Sequence, residues 1–342
     1  MIYWEGRFLS KVAVEKTRGD LVESLHRATI AVVDKKGTLF AKLGDADKVT
    51  YWRSAAKPLQ VIPLIQRGGV EQFGFTNKEL AVMCASHAAE DIHTEAVQSI
   101  LNKIGLTEEY LQCGTHPPVD LEVRKRLIRN DQEETEIYNN CSGKHAGMLA
   151  LAKLMETSYD NYWQTEHPVQ QEMISIISKV TETPEADIKL AQDGCGVPVF
   201  GLPIHNMAYS YALFGSQEME QELQESYRVV AQAMNTNPKM VAGTERFNSK
   251  LMEVMDGKVV AKGGAQGVFS FAVPDKGLGV TIKVDDGSNQ VIAPITVEVL
   301  CQLDLITDNE LEQLKKFHYQ EIKNAKKDIV GQVRPAFTLN FV

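Results

Sequence analysis

A serine and a lysine three residues apart, Ser54 and Lys57, form the first pattern in the sequence that could carry chemistry. Side chains at this spacing share one face of a helix, so the amine can reach the hydroxyl. Pro58 is tolerated only in a first helical turn, which predicts that Ser54 lies near a helix N-terminus, where free N–H groups favour an oxyanion. A lysine with a lowered pKa can serve as the base for a serine nucleophile. Ser-x-x-Lys arises by chance about once in a chain of this size, so its position at a predicted strand-to-helix junction gives the pair its weight.

A lysine followed by two glycines, Lys262-Gly263-Gly264-Ala265, closes a predicted strand. Such a strand end can bring backbone close to a ligand and offer N–H groups to it, although a plain turn with an exposed lysine explains the same residues. The order strand, Ser-x-x-Lys, helical region, Lys-Gly-Gly matches serine acylases of the β-lactamase and penicillin-binding type. Their middle Ser-Asp-Asn tripeptide does not occur in this sequence.

Nucleophile, base and acid types also gather in the segment Cys84-Ala-Ser-His-Ala-Ala-Glu90, where a helix capped at Thr76 ends. Ser86 could replace the missing middle serine and relay a proton. A Cys84–His87 dyad is a competing functional interpretation, and a buried cysteine beside a capping serine is the structural one.

Two further cysteines lie in segments that could contribute ligands to a metal ion. Cys141 precedes Lys144 and His145 within one helical turn, and Cys195 lies between glycines in a second segment. Together they could hold a metal ion. Spacing alone is poor support for zinc, because lysine binds metal only when deprotonated, and an N-capping Ser142 with glycine turns explains both segments without a metal.

The elements that must position these residues read as strands at both ends of the chain and helices between them. Residues 29–33 and 38–41 predict a hairpin around Asp34–Gly37, and strands return at 258–262, 268–273 and 278–283, followed by helices at 291–303 and 309–317. We therefore predict an α+β fold with one antiparallel sheet from the N- and C-terminal segments. Residues 1–53 and 240–342 would form the sheet lobe, and 54–239 an inserted, mainly helical lobe. Helices are expected at 59–66, 78–85, 93–104, 144–155, 169–180 and 219–234.

Composition narrows the class of protein. The 342 residues include 36 Lys+Arg and 45 Asp+Glu, a net charge of −9, and 44% are hydrophobic. This favours a soluble globular protein and disfavours nucleic acid as a partner. No apolar run reaches the length of a membrane helix, residues 1–7 show no export signal, and five cysteines are too few for a disulfide scaffold, so a cytoplasmic location is expected.

Taken together, five segments resemble the Rhizobium etli-type L-asparaginases, the asparaginase II or class 3 family, over about residues 23–335. The segments are Arg53–Pro58, Cys84–His87 with Glu90, Asn140–Gly147, Asp193–Pro198 and Lys262–Ala265. The resemblance implies a serine β-lactamase-like fold, hydrolysis of L-asparagine to L-aspartate and ammonia, and a homodimer. It also implies a nucleophilic Ser54 with Lys57 beside it, a second pair of Ser86 and Lys262, and a zinc ion held by Cys141, Lys144 and Cys195.

From this resemblance we expect a double displacement in which Lys57 deprotonates Ser54 and Ser86 with Lys262 carries protons to the leaving amine. Backbone N–H groups at Ser54, Gly264 and Ala265 would hold the oxyanion. The substrate-binding set is predicted to comprise His87, either Arg53 or Arg246 for the α-carboxylate, and either Asp193 or Glu245 for the α-ammonium group. Where the family pattern leads us to expect a glycine before Glu90, this sequence has Ala88-Ala89.

Other functions remain open from sequence. A glutaminase, lactamase, peptidase or esterase could use the same scaffold, and a non-catalytic zinc- or amino-acid-binding protein would need the cysteines but not Ser54. One methylene distinguishes glutamine from asparagine and is worth only about 1–3 kcal/mol in a pocket.

Overall fold

A computed structural model describes residues 10–342 of the chain. The first nine residues of the predicted sheet lobe, which include the segment examined for an export signal, lie outside the described residues. The strands of the described part are β1 (Lys11–Arg18), β2 (Leu21–Asp34), β3 (Leu39–Leu43), β4 (Val49–Tyr51), β5 (Lys189–Gln192), β6 (Pro198–Pro203), β7 (Val260–Gly264), β8 (Val268–Val273), β9 (Leu278–Val284), β10 (Gln320–Lys323), β11 (Ile329–Pro335) and β12 (Asn340–Phe341).

One large antiparallel sheet interleaves the two ends of the chain. Its order is β10-β11-β1-β2-β9-β8-β7, with β3 paired to β2 and β12 to β3. In register, Val14 of β1 faces Pro335 of β11, and Ile30 of β2 faces Ile282 of β9. The predicted α+β class, with a sheet built from N- and C-terminal segments, is confirmed.

The predicted hairpin joins β2 to β3. Asp34 accepts hydrogen bonds through Oδ1 from the N–H groups of Lys36 and Thr38, at 2.8 and 2.9 Å, and Gly37 takes a φ of +80°. A short carboxylate that bonds its own turn and a glycine in the left-handed region are the local signals that close such a hairpin.

Helices occupy most of the chain between β4 and β7. They are α1 (Lys57–Gln60), α2 (Ile62–Gln66), α3 (Gly69–Phe73), α4 (Asn77–Met83), α5 (Asp91–Lys103), α6 (Leu121–Arg129), α7 (Ser142–Leu154), α8 (Pro168–Thr181), α9 (Ile204–Ala212), α10 (Gln221–Thr236), α11 (Pro238–Ala242) and α12 (Phe247–Met255), followed after β9 by α13 (Ile292–Gln302) and α14 (Asp308–His318). The Thr76–Glu79 capping box begins α4 as the sequence predicts. Residues 142–152 of α7 are all buried, so this helix is the centre around which α4, α5 and α8 pack.

Two features differ from the sequence-based prediction. The strands β5 and β6 lie inside the region predicted to be helical, and with β4 they form a separate small antiparallel sheet. Helix α9 packs on β2 and β9 of the large sheet, and a Cβ at Gly279 of β9 would lie 1.9 Å from the carbonyl oxygen of Ala208. Glycine at that point is what lets the helix lie directly on the sheet.

Candidate active site

Ser54 lies in a single 3₁₀ turn, Arg53–Ala56, between β4 and α1. Trp52 anchors the start of this turn, because its indole Nε1 donates to Ser270 Oγ of β8 at 3.0 Å. Tyr211 holds the other end, since its hydroxyl donates to the Ala55 carbonyl at 2.7 Å. Pro58 stands in the first turn of α1, as the sequence predicts. The large sheet and α9 therefore fix the position of the serine.

The strand β7 brings the Lys-Gly-Gly segment against this turn. A Cβ built on Gly264 would lie 2.9 Å from the Trp52 carbonyl oxygen and 3.3 Å from the Ala55 nitrogen. Any side chain at residue 264 would push the strand and the turn apart. The close approach places Lys262 and Ala265 next to Ser54, although about 210 residues separate them in the chain.

The two lysines predicted to act in separate pairs meet at one serine. Ser86 Oγ lies 3.1 Å from Lys57 Nζ and 3.1 Å from Lys262 Nζ. Within the described residues Ser54 Oγ makes no hydrogen bond, so Lys57 contacts Ser86 instead of Ser54. The amine of Lys57 is directed away from Ser54 by its bonds to the Ala85 carbonyl at 2.6 Å and to Ser86 Oγ, both in the segment that follows α4.

The environments of the two amines differ. Lys57 Nζ donates to the Ala85 carbonyl at 2.6 Å and lies 3.2 Å from Cys141 Sγ. Lys262 Nζ donates to the Gly263 carbonyl at 2.6 Å. Burial, followed by the nearby charge of Lys57, holds the pKa of Lys262 well below its usual value. The site therefore holds a lysine that gives up its proton more readily than a free lysine does.

Ser54 and Ser86 open into a cleft of about 240 Å³. Six of the predicted site residues line it, and they are Ser54, Ser86, Arg246, Lys262, Gly264 and Ala265. Asn140 and Gly263, from two of the motifs identified in the sequence, also line it. Residues that the sequence did not single out complete the lining, and they are Val119, Ala242, Phe247, Asn248, Val268, Phe269, Asn289, Ile292 and Ala293.

A second cavity of about 10 Å³ touches Ser54 from the other side and is lined by Arg53, Lys57, Lys144 and Asp193 among others. Its volume matches that of about one water molecule. The Arg53 guanidinium pairs with Asp193 Oδ1 here, at 2.7 Å from NH2 and 2.8 Å from Nε. Burial would raise the pKa of Asp193, but the Lys144 charge and the Gly194 N–H outweigh it, so the pKa is lowered.

Cys141, Lys144 and Cys195 converge beside this small cavity, as the resemblance implies. Lys144 Nζ donates to Cys195 Sγ at 3.0 Å. A hydrogen bond from Cys141 lowers the pKa of Cys195 to about 4, and the same bond together with burial raises the pKa of Cys141 to about 12. Burial alone would lower the pKa of Lys144, but the thiolate beside it outweighs that effect and raises it. Across residues 10–342 no three His, Cys, Asp or Glu side chains group as a metal site, and this trio has only two such ligands.

Two predicted substrate-binding residues lie outside both cavities. His87 is fully buried, stacks on His93 and is bonded through Nε2 to Ser142 Oγ at 2.9 Å. The Glu245 side chain is 75% exposed and lies 3.9 Å from Lys250. Of the alternatives that the sequence left open, the carboxylate beside Ser54 is therefore Asp193, and the arginine facing the cleft is Arg246.

Sequence reasoning missed the side chains that hold the cleft segments in place. Asn248 donates to the Ala261 carbonyl and accepts from the Gly263 N–H, both at 2.8 Å, and so fixes the end of β7. Glu90 accepts from Thr244 N–H at 2.7 Å and from its hydroxyl at 2.6 Å, and so fixes the segment that carries Arg246. The only sequence signal was the place of Glu90 in the Cys84–Glu90 segment.

The turn after Ser86 has the shape for which a glycine was expected. Ala89 takes a φ of +67°, in the left-handed region that glycine adopts most easily. Its N–H donates to His87 Nδ1 at 3.2 Å, and its methyl group is fully buried. The alanine therefore keeps the expected turn at a cost in backbone strain.

A buried lysine with a lowered pKa, in contact with a serine beside an open cleft, is an arrangement suited to acyl transfer. The chain belongs to the L-asparaginase II family, whose model matches residues 14–335. This membership supports an amidohydrolase that acts on a small molecule, whereas the finer assignment to Rhizobium etli-type enzymes stays a prediction. No curated protein matches the chain in sequence.

Solved structures that resemble this chain include a β-lactamase from Mycobacterium bovis, at 12% identity and a TM-score of 0.37, covering 80% of this chain and 94% of that one. Another is the D-alanine carboxypeptidase AmpC from Burkholderia cenocepacia, at 13% identity and a TM-score of 0.36, covering 85% and 92%. Likenesses this loose carry no argument about activity. None of the helices in residues 10–342 has the length and apolar character to cross a membrane.

Proposed function

We propose that the protein is an L-asparaginase that hydrolyses L-asparagine through an acyl-enzyme on Ser54. The observation that carries the proposal is the Lys57–Ser86–Lys262 chain of contacts in the cleft that Ser54 also lines. The family match supplies the expected substrate class. The Ser54 hydroxyl lies at the junction of the cleft and the small charged cavity, where a bound amide could reach it.

The protein's own residues supply the proton transfers. In its neutral form Lys262 has a lone pair, so it can take a proton through Ser86 while Lys57 stabilises the Ser86 oxygen. Ser54 then attacks the side-chain amide carbon, the C–N bond breaks, and ammonia leaves with a proton returned from Lys262. Water attacks the resulting β-aspartyl ester by the same route and releases aspartate. This assigns the base to Lys262, whereas the sequence alone pointed to Lys57.

Charge stabilisation falls to the backbone and to the charged cavity. Gly264 packs on the turn that carries Ser54, and the N–H groups of Ser54 and Ala265 would hold the oxyanion. We assign the substrate α-ammonium group to Asp193 and its α-carboxylate to Arg53 or Arg246. Because Arg53 and Asp193 pair with each other, a zwitterionic head group can replace that pair with two of its own.

Steady-state ammonia release tests the proposal directly. Wild type should release ammonia from asparagine faster than from glutamine, and Ser54→Ala should lower kcat by more than about 100-fold. Ser86→Ala serves as the matched variant, since it removes the relay and leaves the nucleophile. If Ser54→Ala keeps full activity while Ser86→Ala loses it, Ser86 is the nucleophile. If the wild type releases no ammonia from either amide, the proposed function is wrong.

We further propose a zinc ion held by Cys141, Lys144 and Cys195. The donor set fits zinc, which takes sulfur and nitrogen ligands, and binding would require Lys144 and Cys141 to lose their protons. When bound, the ion would supply positive charge beside Asp193 and fix the loops around the small cavity. Metal analysis of purified wild type and Cys141→Ser tests this, and equal zinc content in the two would contradict it.

A further inference from the structure

The two cavities that meet at Ser54 differ in chemistry. Charged side chains, Arg53, Lys144 and Asp193, line the small one. The larger cleft is lined by the serine–lysine groups, by polar side chains such as Arg246 and Asn248, and by an apolar set, here called the apolar wall, that includes Val119, Phe247, Phe269 and Ile292. Ser54 is common to both cavities, so the atom it attacks must lie between them.

We take the charged end of an amide substrate to face Arg53 and Asp193. The small cavity has room for only about one water molecule, so a zwitterionic head group would displace the Arg53–Asp193 pair and bond to both side chains itself. The amide carbon then lies at Ser54, and the amide nitrogen points into the cleft, towards Ser86 and Lys262. The leaving group therefore departs through the larger space.

An ammonia leaving group makes no use of the apolar wall. Ammonia has one non-hydrogen atom and hydrogen-bonds to polar groups, whereas the wall offers aromatic and aliphatic surface. Phe247 and Phe269 pack on each other with ring centroids 5.8 Å apart, and Val119 stands 39% exposed at the mouth of the cleft. A preformed apolar surface beside convergent polar groups is typical of a binding pocket for a partly apolar ligand.

We propose that the cleft is a leaving-group subsite and that the enzyme also hydrolyses N4-substituted L-asparagines whose substituent is apolar. This inference rests on the proposed function and extends it from primary to secondary amides. Ser54 Oγ forms a bond to the amide carbon, the C–N bond breaks, and the amine leaves after its nitrogen gains a proton. Water then cleaves the ester, so one amide and one water give aspartate and one primary amine.

The experiment compares asparagine with N4-benzyl-L-asparagine as substrates of the full-length wild-type protein, measuring ammonia and benzylamine. We expect kcat/KM for the benzyl amide to be at least one tenth of that for asparagine. Val119→Trp fills the mouth of the subsite from an exposed loop position, and should lower kcat/KM for the benzyl amide at least tenfold more than it lowers kcat/KM for asparagine. Val49→Trp is the matched control, because Val49 is 55% exposed and lines neither cavity.

The outcomes separate this inference from the proposed function. If asparagine is hydrolysed but the benzyl amide reacts more than 100-fold more slowly in the wild type, the subsite is wrong and the asparaginase stands. If Val119→Trp lowers kcat/KM equally for both substrates, the cleft is only an entrance and the subsite proposal is again wrong. If neither amide is hydrolysed, both proposals fall. The wild-type comparison requires no substitution, so a poorly folded variant cannot hide a negative result.

Discussion

Lys144 and Lys262 are both buried, 5% and 1% exposed, yet their pKa values shift in opposite directions. Burial and the nearby charge of Lys57 hold the pKa of Lys262, which faces a hydroxyl, well below its usual value. Lys144 faces the Cys195 thiolate, so its pKa rises and it is charged. Burial favours the neutral form in both places, and the sign of the neighbouring charge decides the result. The same type of side chain therefore forms an ion pair in one place and, as we propose, acts as a base in the other.

The largest effect is expected from a substitution that keeps residue 262 positively charged and so removes the difference between it and Lys144. Lys262→Arg places a guanidinium, which cannot lose its proton, where the neutral amine is needed. We expect kcat for asparagine to fall by about 100- to 10,000-fold. Lys258→Arg in the same segment is the control, because Lys258 pairs with Glu310 and should tolerate the change. Full activity in Lys262→Arg would show that residue 262 does not act as a neutral base.

Removing the thiolate tests the other lysine. Cys195→Ala leaves the Lys144 ammonium buried without its partner, and should lower the free energy of unfolding by about 3 kcal/mol in the metal-free protein. Lys144→Met combined with Cys195→Ala should recover part of that loss, because no unpaired charge then remains. Urea unfolding of the wild type, both single variants and the double variant measures the coupling. Additive effects would contradict the ion pair.

The pH dependence of the free energy of unfolding tests the lowered pKa of Lys262, because a lowered and a raised lysine pKa change stability with pH in opposite directions. Lys262 has a lower pKa folded than unfolded, so between these two values the unfolded chain binds more protons and stability rises with pH. Relative to Lys262→Met, the wild type should gain up to about 1.4 kcal/mol per pH unit as pH rises from 8 towards 10. Urea unfolding at several pH values measures the difference. A flat difference would mean that Lys262 stays charged in the folded protein.

The smallest expected effect is on the free energy of unfolding, and it concerns backbone strain at Ala89 in the turn after Ser86. Ala89→Gly loses a buried methyl group and gains unfolded-state entropy, but it relieves about 1–2 kcal/mol of left-handed strain. We expect its free energy of unfolding to stay within about 0.5 kcal/mol of the wild type. Ala88→Gly, at an ordinary φ, should cost about 1–2 kcal/mol by the same measurement. Equal losses at both positions would mean that Ala89 stores no strain.

Local signals predicted much of the fold. The strand at 268–273 matches β8 at both ends, and the Asp34–Gly37 turn and the Thr76–Glu79 box are present as expected. These features depend on residues close in sequence, where alternation, capping and turn chemistry operate. The small sheet of β4, β6 and β5 was missed because its strands are short and β4 pairs with β6 across about 150 residues.

The site was predictable in composition but not in contacts. Ser54, Ser86 and Lys262 were named as candidates from the sequence. Their spacing could not reveal that Lys57 and Lys262 meet at Ser86, because this contact joins α1, the segment after α4 and β7, which are far apart in the chain. The convergence of Cys141 with Cys195 followed from a family resemblance and not from spacing. The apolar wall of the cleft gave no sequence signal, because phenylalanine and isoleucine there resemble any core residues.

The pairing of β1 with β11 has a consequence for synthesis of the chain. Val14 and Pro335 lie opposite each other, so the large sheet cannot close until residue 335 has left the ribosome. The segments that bring Lys144 to Cys195 lie within residues 141–195 and emerge much earlier. A nascent chain can therefore form the Lys144–Cys195 pair before Lys262 has been synthesised and can pack next to Ser54. The proposed hydrolytic activity would therefore begin only after the segment that carries Lys262 has emerged and paired.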